Sequence, residues 1–503
     1  MSVRVRYAPS PTGSPHVGNI RDALFKHLFA KHHKGTHVLR IEDTDRTRFV
    51  PGVEDEIVES LRWMGIEWQE GLYAGGDFVP YRQSERKELG IYEREIQRLI
   101  ELGHAYPAFD SPEELTEMRE FQQINKQPIG YFGGQWRDAT PAQVEAAEAA
   151  GKPKVIRQRI PRNTTIVIED AIRGRVEFDS NTVDDPVLIK GDGMPTYHFA
   201  AMVDDHLMEI THIMRGEEWI SSAPKHAALF DSFGWERPIF VHCPVINGPD
   251  GKKLSKRHGD TKCLDFRSAG YLPAALANFI ALIGWAPGDN RELMSMDELA
   301  EAFDLGGLQP APGVFDMSKL NWMNANYIRA VEPTELVTKV RDFAAAPTTQ
   351  EYWSRDANLE GGVGRSLDAL VACADEPLVA QAIQLEQERV NTLADFGPAC
   401  EFFVRDEVEF DEAAKAKAFA HEHVGALFAA LGEFLAGKEL VSAEACHDFV
   451  TGWAKEHGIE KIGPVVQPIR VALTGKLAGP GLYELMSALG PARMLARFSR
   501  AIK

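Results

Sequence analysis

The strongest constraint on this chain lies in its first 65 residues. Val3, Val5 and Tyr7 alternate as a strand does, and Ile20, Leu24 and Leu28, with Phe25 and Phe29, share one helical face. Gly35 is expected to cap that helix, and Val38-Leu39-Arg40-Ile41 returns as a strand. Val53, Ile57, Leu61 and Met64 make a second helical stripe, stopped by Gly65. Strand, helix, strand at this spacing is a βαβ unit, which commits the chain to a parallel sheet covered by helices.

The turn between the first strand and the first helix is Pro9-Ser10-Pro11-Thr12-Gly13-Ser14-Pro15-His16-Val17-Gly18-Asn19. In a doubly wound sheet, ligands bind outside the carboxyl ends of the strands, and helix N-termini attract phosphate. Gly18 lets a nucleotide approach the backbone, His16 offers a hydrogen bond to a phosphate gaining charge, and Asn19 is a further side-chain donor. A second segment, Lys253-Leu254-Ser255-Lys256-Arg257, places three cations on a loop bounded by Gly251 and Gly259. Ammonium groups closing over a departing pyrophosphate stabilise charge that grows toward the transition state. Alone, the first segment reads as an ordinary turn and the second as a solvated charge run. Their pairing in this order carries the nucleotide reading.

The two segments resemble the His-Ile-Gly-His and Lys-Met-Ser-Lys-Ser motifs of class I aminoacyl-tRNA synthetases. The likeness continues through Arg6-Tyr7-Ala8-Pro9-Ser10, Arg40-Ile41-Glu42-Asp43-Thr44-Asp45, Tyr81-Arg82-Gln83-Ser84, Pro195-Thr196-Tyr197-His198 and Val203-Asp204-Asp205-His206. It extends to Arg215-Gly216-Glu217-Glu218-Trp219, Asn321-Trp322-Met323-Asn324 and Gln467-Pro468-Ile469-Arg470. These blocks are similar to glutamyl-tRNA synthetases of the bacterial type and span nearly the whole chain.

The resemblance implies ATP-dependent activation of L-glutamate and its transfer to the terminal adenosine of tRNA(Glu), with Mg2+ accompanying the ATP phosphates. It implies catalytic roles for His16, Lys253, Lys256 and Arg257, and ATP contacts from His16, Gly18, Asn19, Trp219, Val245, Lys253 and Lys256. Glutamate would meet Arg6, Ala8, Ser10, Glu42, Tyr197 and Arg215, with Glu42 facing the α-ammonium and Arg215 reading the side-chain carboxylate. Guanidinium forks suit a carboxylate bidentately. Arg389 falls where members that reject tRNA for glutamine carry an anticodon-reading arginine, so the resemblance implies discrimination against tRNA(Gln).

The implied fold is α/β, a Rossmann-type parallel sheet (residues 1–75 and 186–240) interrupted by an α+β acceptor-binding insertion (76–185). A basic-loop and stem-contact domain (241–325) and an all-α anticodon-binding region (326–503) follow. The residues agree in outline. Helical stretches from Arg86 to Leu102 and from Pro112 to Gln123 precede strands at 155–160 and 165–178, with a hairpin turn at Ala171–Gly174. The parallel sheet is expected to resume at Pro186–Lys190 and at His212–Met214. Beyond residue 325 only helical stripes remain, as in Phe419, Val424, Leu427, Phe428, Leu431 and Leu435, or in Leu482, Leu485, Met486 and Leu489.

Composition bounds rather than decides. With 503 residues the chain exceeds one ordinary core. No apolar run reaches the roughly 18 residues of a membrane span. Five scattered cysteines suit a reduced, cytoplasmic setting, and none precedes Cys243, so no thiolate zinc site is expected in the insertion. The net charge of −19 argues against a nucleic-acid partner on its face, but a local basic groove coexists with an acidic exterior in many RNA-binding proteins. A monomer is expected. Among rivals, a glutaminyl-tRNA synthetase would end in β-barrels, a catalytically dead paralogue would have lost His16 or the basic loop, and a small nucleotidyltransferase has no use for a long helical appendage.

Overall fold

The computed structural model describes residues 2–255, 261–355 and 363–501. Contacts gather them into two compact units, one of residues 1–263 and 277–316 and one of 264–276 and 317–503. Lys256 and Arg257, expected in the basic loop, fall outside the described residues.

In the first unit, strands β1 (Arg4–Tyr7), β2 (Thr36–Leu39) and β3 (Glu70–Gly71) pair in parallel, with Val5 opposite His37 and Arg6 opposite Val38. The helix α1 (Val17–His32) crosses between β1 and β2 and buries the expected Ile20, Leu24, Phe25 and Leu28. Its end differs from expectation. His33 is the C-cap, Lys34 takes the left-handed conformation (φ 51°), and the Gly35 N–H returns to the Ala30 carbonyl (2.8 Å), a Schellman closure. Gly35 is needed for another reason: a Cβ there would lie 2.2 Å from the Val3 carbonyl oxygen.

The next strands are β4 (Ala105–Ala108), β5 (Val155–Gln158), β6 (Thr165–Asp170), β7 (Gly174–Asp179) and β8 (Val187–Ile189). The helical stretch expected over 86–102 is broken at Gly90 (φ 68°) into Gln83–Glu88 and Ile91–Glu101. The expected resumption of the parallel sheet at 186–190 is corrected: β8 pairs antiparallel with β5, completing a β4-β5-β8 sheet. The register sets Ile189 opposite Ile156 and Val187 opposite Arg157, with Leu188 between them fully buried.

The hairpin β6–β7 is as expected, and its turn is organised by Asp170. The Asp170 Oδ1 accepts the backbone N–H groups of Ile172 (3.0 Å) and Arg173 (2.9 Å), and Gly174 follows at positive φ. Two further strands, β9 (His212–Gly216) and β10 (Ile239–Cys243), pair in parallel, and β6 joins β10 with Asp170 beside Phe240. The Thr211 N–H bonds the Arg4 carbonyl (2.9 Å), tying the start of β9 to β1. The carboxyl ends of β1, β9 and β10 are thus brought to one cleft.

The second unit is helical. The stripe Val424, Leu427, Phe428, Leu431 and Leu435 is buried along the helix Val424–Leu435, and Leu482, Leu485, Met486, Leu489, Met494 and Phe498 are buried along Leu482–Ala501. That last segment bends at Gly490, just before Pro491. Among the described residues no helix is long and apolar enough to cross a membrane.

Candidate active site

A cleft of about 990 Å3 opens at the carboxyl ends of these strands. It gathers Arg6, Ala8, Ser10, His16, Gly18, Asn19, Glu42, Tyr197, Arg215, Trp219, Val245 and Lys253, every expected glutamate and ATP residue that the structure describes.

At one side stands the N-terminus of α1. His16 is its N-cap: Nδ1 accepts the Gly18 N–H (3.0 Å), and the Asn19 Oδ1 accepts the His16 N–H (3.2 Å), a reciprocal capping box. Because Nδ1 is an acceptor, the neutral ring carries its proton on Nε2, which leaves a donor for a ligand. Desolvation in the cleft, with help from the Lys253 ammonium, holds the His16 pKa below its ordinary value and favours that neutral form. Asn19 spends its carbonyl on the cap, and its amide nitrogen remains a donor at the edge of the cleft. A Cβ at Gly18 would fall 2.8 Å from the His16 Cε1, so any larger residue there would displace that ring.

The basic segment is moored to the same turn. The Leu254 N–H bonds the Ile246 carbonyl (2.9 Å). Beyond the segment, the Thr261 carbonyl accepts the Val17 N–H (2.9 Å), and the Cys263 N–H bonds the Pro15 carbonyl (3.0 Å). Lys253 reaches the Glu218 carboxylate at 3.4 Å. The Val245 N–H is held by Glu217 (2.9 Å), and the Tyr197 and Trp219 rings lie 4.6 Å apart between centroids.

Deeper in the cleft the charges are buried. Arg6 donates from Nε to the Asp205 Oδ1 (2.8 Å), Arg40 pairs with the same oxygen (2.9 Å), and the Arg40 Nη2 bonds the Glu42 Oε1 (2.9 Å). Burial pushes the Glu42 carboxyl upward, while Arg40 and Arg6 pull it back toward the ionised form. Asp204 beside this group accepts from Gln83 (2.8 Å), Arg86 (2.7 Å) and Tyr92 (2.9 Å), which anchors the helix Tyr197–Leu207 that carries both aspartates.

Arg215 differs from Arg6 and Arg40. It is 5% exposed, and among the described residues no carboxylate pairs with it. Its Nε donates to the His242 Nε2 (3.1 Å), its Nη1 to the His226 Nδ1 (2.8 Å), and its Nη2 reaches the Trp219 carbonyl (3.4 Å); the Tyr197 hydroxyl is a further partner. A buried guanidinium among neutral partners is unfavourable alone, and burial lowers its pKa. An anionic ligand group would restore the balance.

Sequence reasoning did not single out Arg40 and Asp205 as pocket residues, nor Lys26, which is buried at the cleft and paired with Asp22. Arg40 and Glu42, two apart on an extended segment and so on one side of it, were a readable signal. Arg389 lies in the second unit, in the turn that closes the helix Glu376–Glu386. Its Nε meets the Glu386 Oε2 at 3.1 Å, with Arg470 and Lys476 acting on the same carboxylate.

Residues 2–322 match the family of class I tRNA synthetases (E and Q), catalytic domain, and residues 335–502 match the anticodon binding domain. The chain belongs to the class I tRNA synthetases of the E and Q family. Within that class it is similar to the glutamate–tRNA ligase of Desulforudis audaxviator, 39% identical over 505 residues, covering 100% of this chain and 96% of the relative. The glutamate–tRNA ligase of Acidothermus cellulolyticus is 41% identical over 504 residues, covering 100% and 95%. The crystal structure of a glutamate tRNA ligase from Elizabethkingia meningosepticum in complex with its amino acid matches with a TM-score of 0.88 at 35% identity, covering 100% of this chain and 99% of that one.

Proposed function

We propose that this chain is a glutamate–tRNA ligase. In the first step a glutamate α-carboxylate oxygen attacks the α-phosphorus of ATP; the new P–O bond gives glutamyl-adenylate, and pyrophosphate leaves. In the second step the 2′-hydroxyl of the terminal adenosine of tRNA(Glu) attacks the activated carbonyl, losing its proton, and AMP leaves.

The observation that carries this reading is Arg215, a buried guanidinium without an acidic partner among the described residues, in one cleft with the His16 donor and the Lys253 ammonium. Arg215 takes the side-chain carboxylate, which an amide could not match in charge. Glu42 meets the α-ammonium, while Arg6, Ala8, Ser10 and Tyr197 complete the pocket. The Nε2–H of His16 and the Lys253 ammonium, together with Lys256 and Arg257, stabilise charge on the phosphates as the bond to pyrophosphate breaks. Gly18, Asn19, Trp219 and Val245 hold the nucleotide. No protein nucleophile is required, because orientation and electrostatics suffice. Mg2+ belongs in this reading with the ATP phosphates, since it keeps several waters and binds largely through substrate phosphates.

The insertion at 76–185 binds the acceptor end and the helical region from 326 reads the anticodon, with Arg389 rejecting tRNA(Gln). The test offers purified tRNA(Glu) and tRNA(Gln) labelled glutamate and labelled glutamine in turn. Glutamate loaded on tRNA(Glu) alone is expected. Glutamate on both tRNAs would remove the role given to Arg389, and absence of charging would remove the ligase reading.

A further inference from the structure

Arg215 sits at the carboxyl end of β9, and in the parallel register its direct neighbour on β10 is His242. An arginine only donates, so each imidazole nitrogen facing it must present a lone pair. The proton of His242 is therefore on Nδ1, where the Asp170 Oδ2 accepts it at 2.6 Å. The proton of His226 is on Nε2, which meets the His198 Nδ1 at 2.9 Å. Asp170, His226 and His242 are each at most 4% exposed. Burial holds both imidazoles below their ordinary pKa, with the Arg215 charge adding to the effect. Two relays, Asp170–His242 and His198–His226, thus converge on one guanidinium from different elements: the end of β6 and β10 on one side, two helices on the other.

We infer that His242 with Asp170, and His226 with His198, are positioning residues for Arg215, fixing its fork with neutral acceptors so that its charge remains for the ligand's side-chain carboxylate. The contrast with Arg6 and Arg40 is the argument. Those two are also buried and oriented, but by Asp205 and Glu42, which neutralise them. A carboxylate in place of either imidazole would compete with the substrate; an apolar residue would leave the fork unaimed and its N–H groups unmet. The relays also make Asp170 a tautomer selector. An asparagine there keeps the Oδ1 acceptor of the turn but sets its amide nitrogen where Oδ2 now accepts both the His242 backbone N–H (3.1 Å) and its ring, opposing the one and sending the imidazole proton to Nε2, donor against donor at Arg215.

This inference rests on the glutamate reading, and the experiment separates the two. Steady-state charging of tRNA(Glu) is measured for the full chain and for Asp170→Asn, His226→Asn and His226→Leu, with separate KM values for glutamate and ATP. Asp170→Asn and His226→Leu are expected to raise the glutamate KM about tenfold or more, with kcat and the ATP KM held within about threefold. His226→Asn, which keeps an acceptor near the Nδ1 position, is expected to stay within about threefold of the parent throughout. An unchanged glutamate KM in both disruptive variants, or equal loss across all three parameters, overturns the inference. Should His226→Leu fail to fold, Asp170→Asn decides alone. A parent chain that does not charge with glutamate would instead overturn the reading beneath it.

Discussion

Lys253 is paired with Glu218 across 3.4 Å, and both side chains are about half exposed. An ion pair so open to water is worth about 1 kcal/mol or less, weak enough to yield to phosphate. Glu218→Gln is therefore expected to lower the ATP KM by no more than about fivefold, with kcat little changed. Lys253→Ala removes charge stabilisation in the transition state and is expected to cut kcat about a hundredfold or more. Pyrophosphate exchange in the presence of tRNA measures both; an inactive Glu218→Gln would show that the pair builds the site instead of parking the lysine.

Gly18→Ala separates stability from catalysis. The added methyl meets only the His16 ring, which can swing into the open cleft, so the melting temperature is expected to stay within a few degrees of the parent. Moving that ring takes its Nε2–H away from the phosphate, and kcat is expected to fall about tenfold or more. Equal activity in the two proteins would argue that His16 acts only as a helix cap.

Arg215→Lys keeps a positive charge but not a fork. A point-charge ammonium cannot satisfy His242, His226 and the Trp219 carbonyl together while still facing a ligand. A loss of about thirtyfold or more in kcat/KM for glutamate is expected even from this substitution, and a larger one from Arg215→Ala. Near-parental kcat/KM in the lysine variant would mean that charge alone, not orientation, selects the substrate.

Glu386 gives the helical unit a pH dependence of definite sign. Burial pushes its carboxyl from the ordinary 4.5 up to about 7, against the pull of Arg389. The folded chain thus holds the proton more tightly than the unfolded chain. That contribution to stability is fully present below about pH 4.5 and is lost as the pH rises through about 7. Glu386→Gln should gain on the parent between pH 5 and pH 8, read as the difference in their unfolding midpoints. A gap that narrows with rising pH would contradict the assignment. Removing the partner of the half-exposed Arg389 costs little in comparison.

The first βαβ unit was legible because it depends on neighbours in sequence, whereas the members of the cleft, spread from Arg6 to Lys253, were legible only through the resemblance to a known family. The stripe of α1 names its own buried face, and a turn after a first strand announces a ligand site. The end of α1 was misread because glycine at position 35 answers a steric need set by Val3, a contact that no local pattern encodes. Strand β8 was placed in the wrong sheet for a similar reason: Val187, Leu188 and Ile189 are apolar in either sheet, and the antiparallel pairing with Ile156 and Arg157 joins residues distant in sequence. The two relays were invisible, since Asp170, His226 and His242 converge from separate elements and none lies in a motif that marks it. What sequence supplied was the reacting cast; what it withheld was the scaffolding that aims it.

Asp170 has one carboxylate with two obligations, Oδ1 to the turn of the β6–β7 hairpin and Oδ2 to His242. The shape of the hairpin turn and the acceptor held against the Arg215 Nε therefore hang on a single side chain, so no substitution at position 170 can alter one without touching the other.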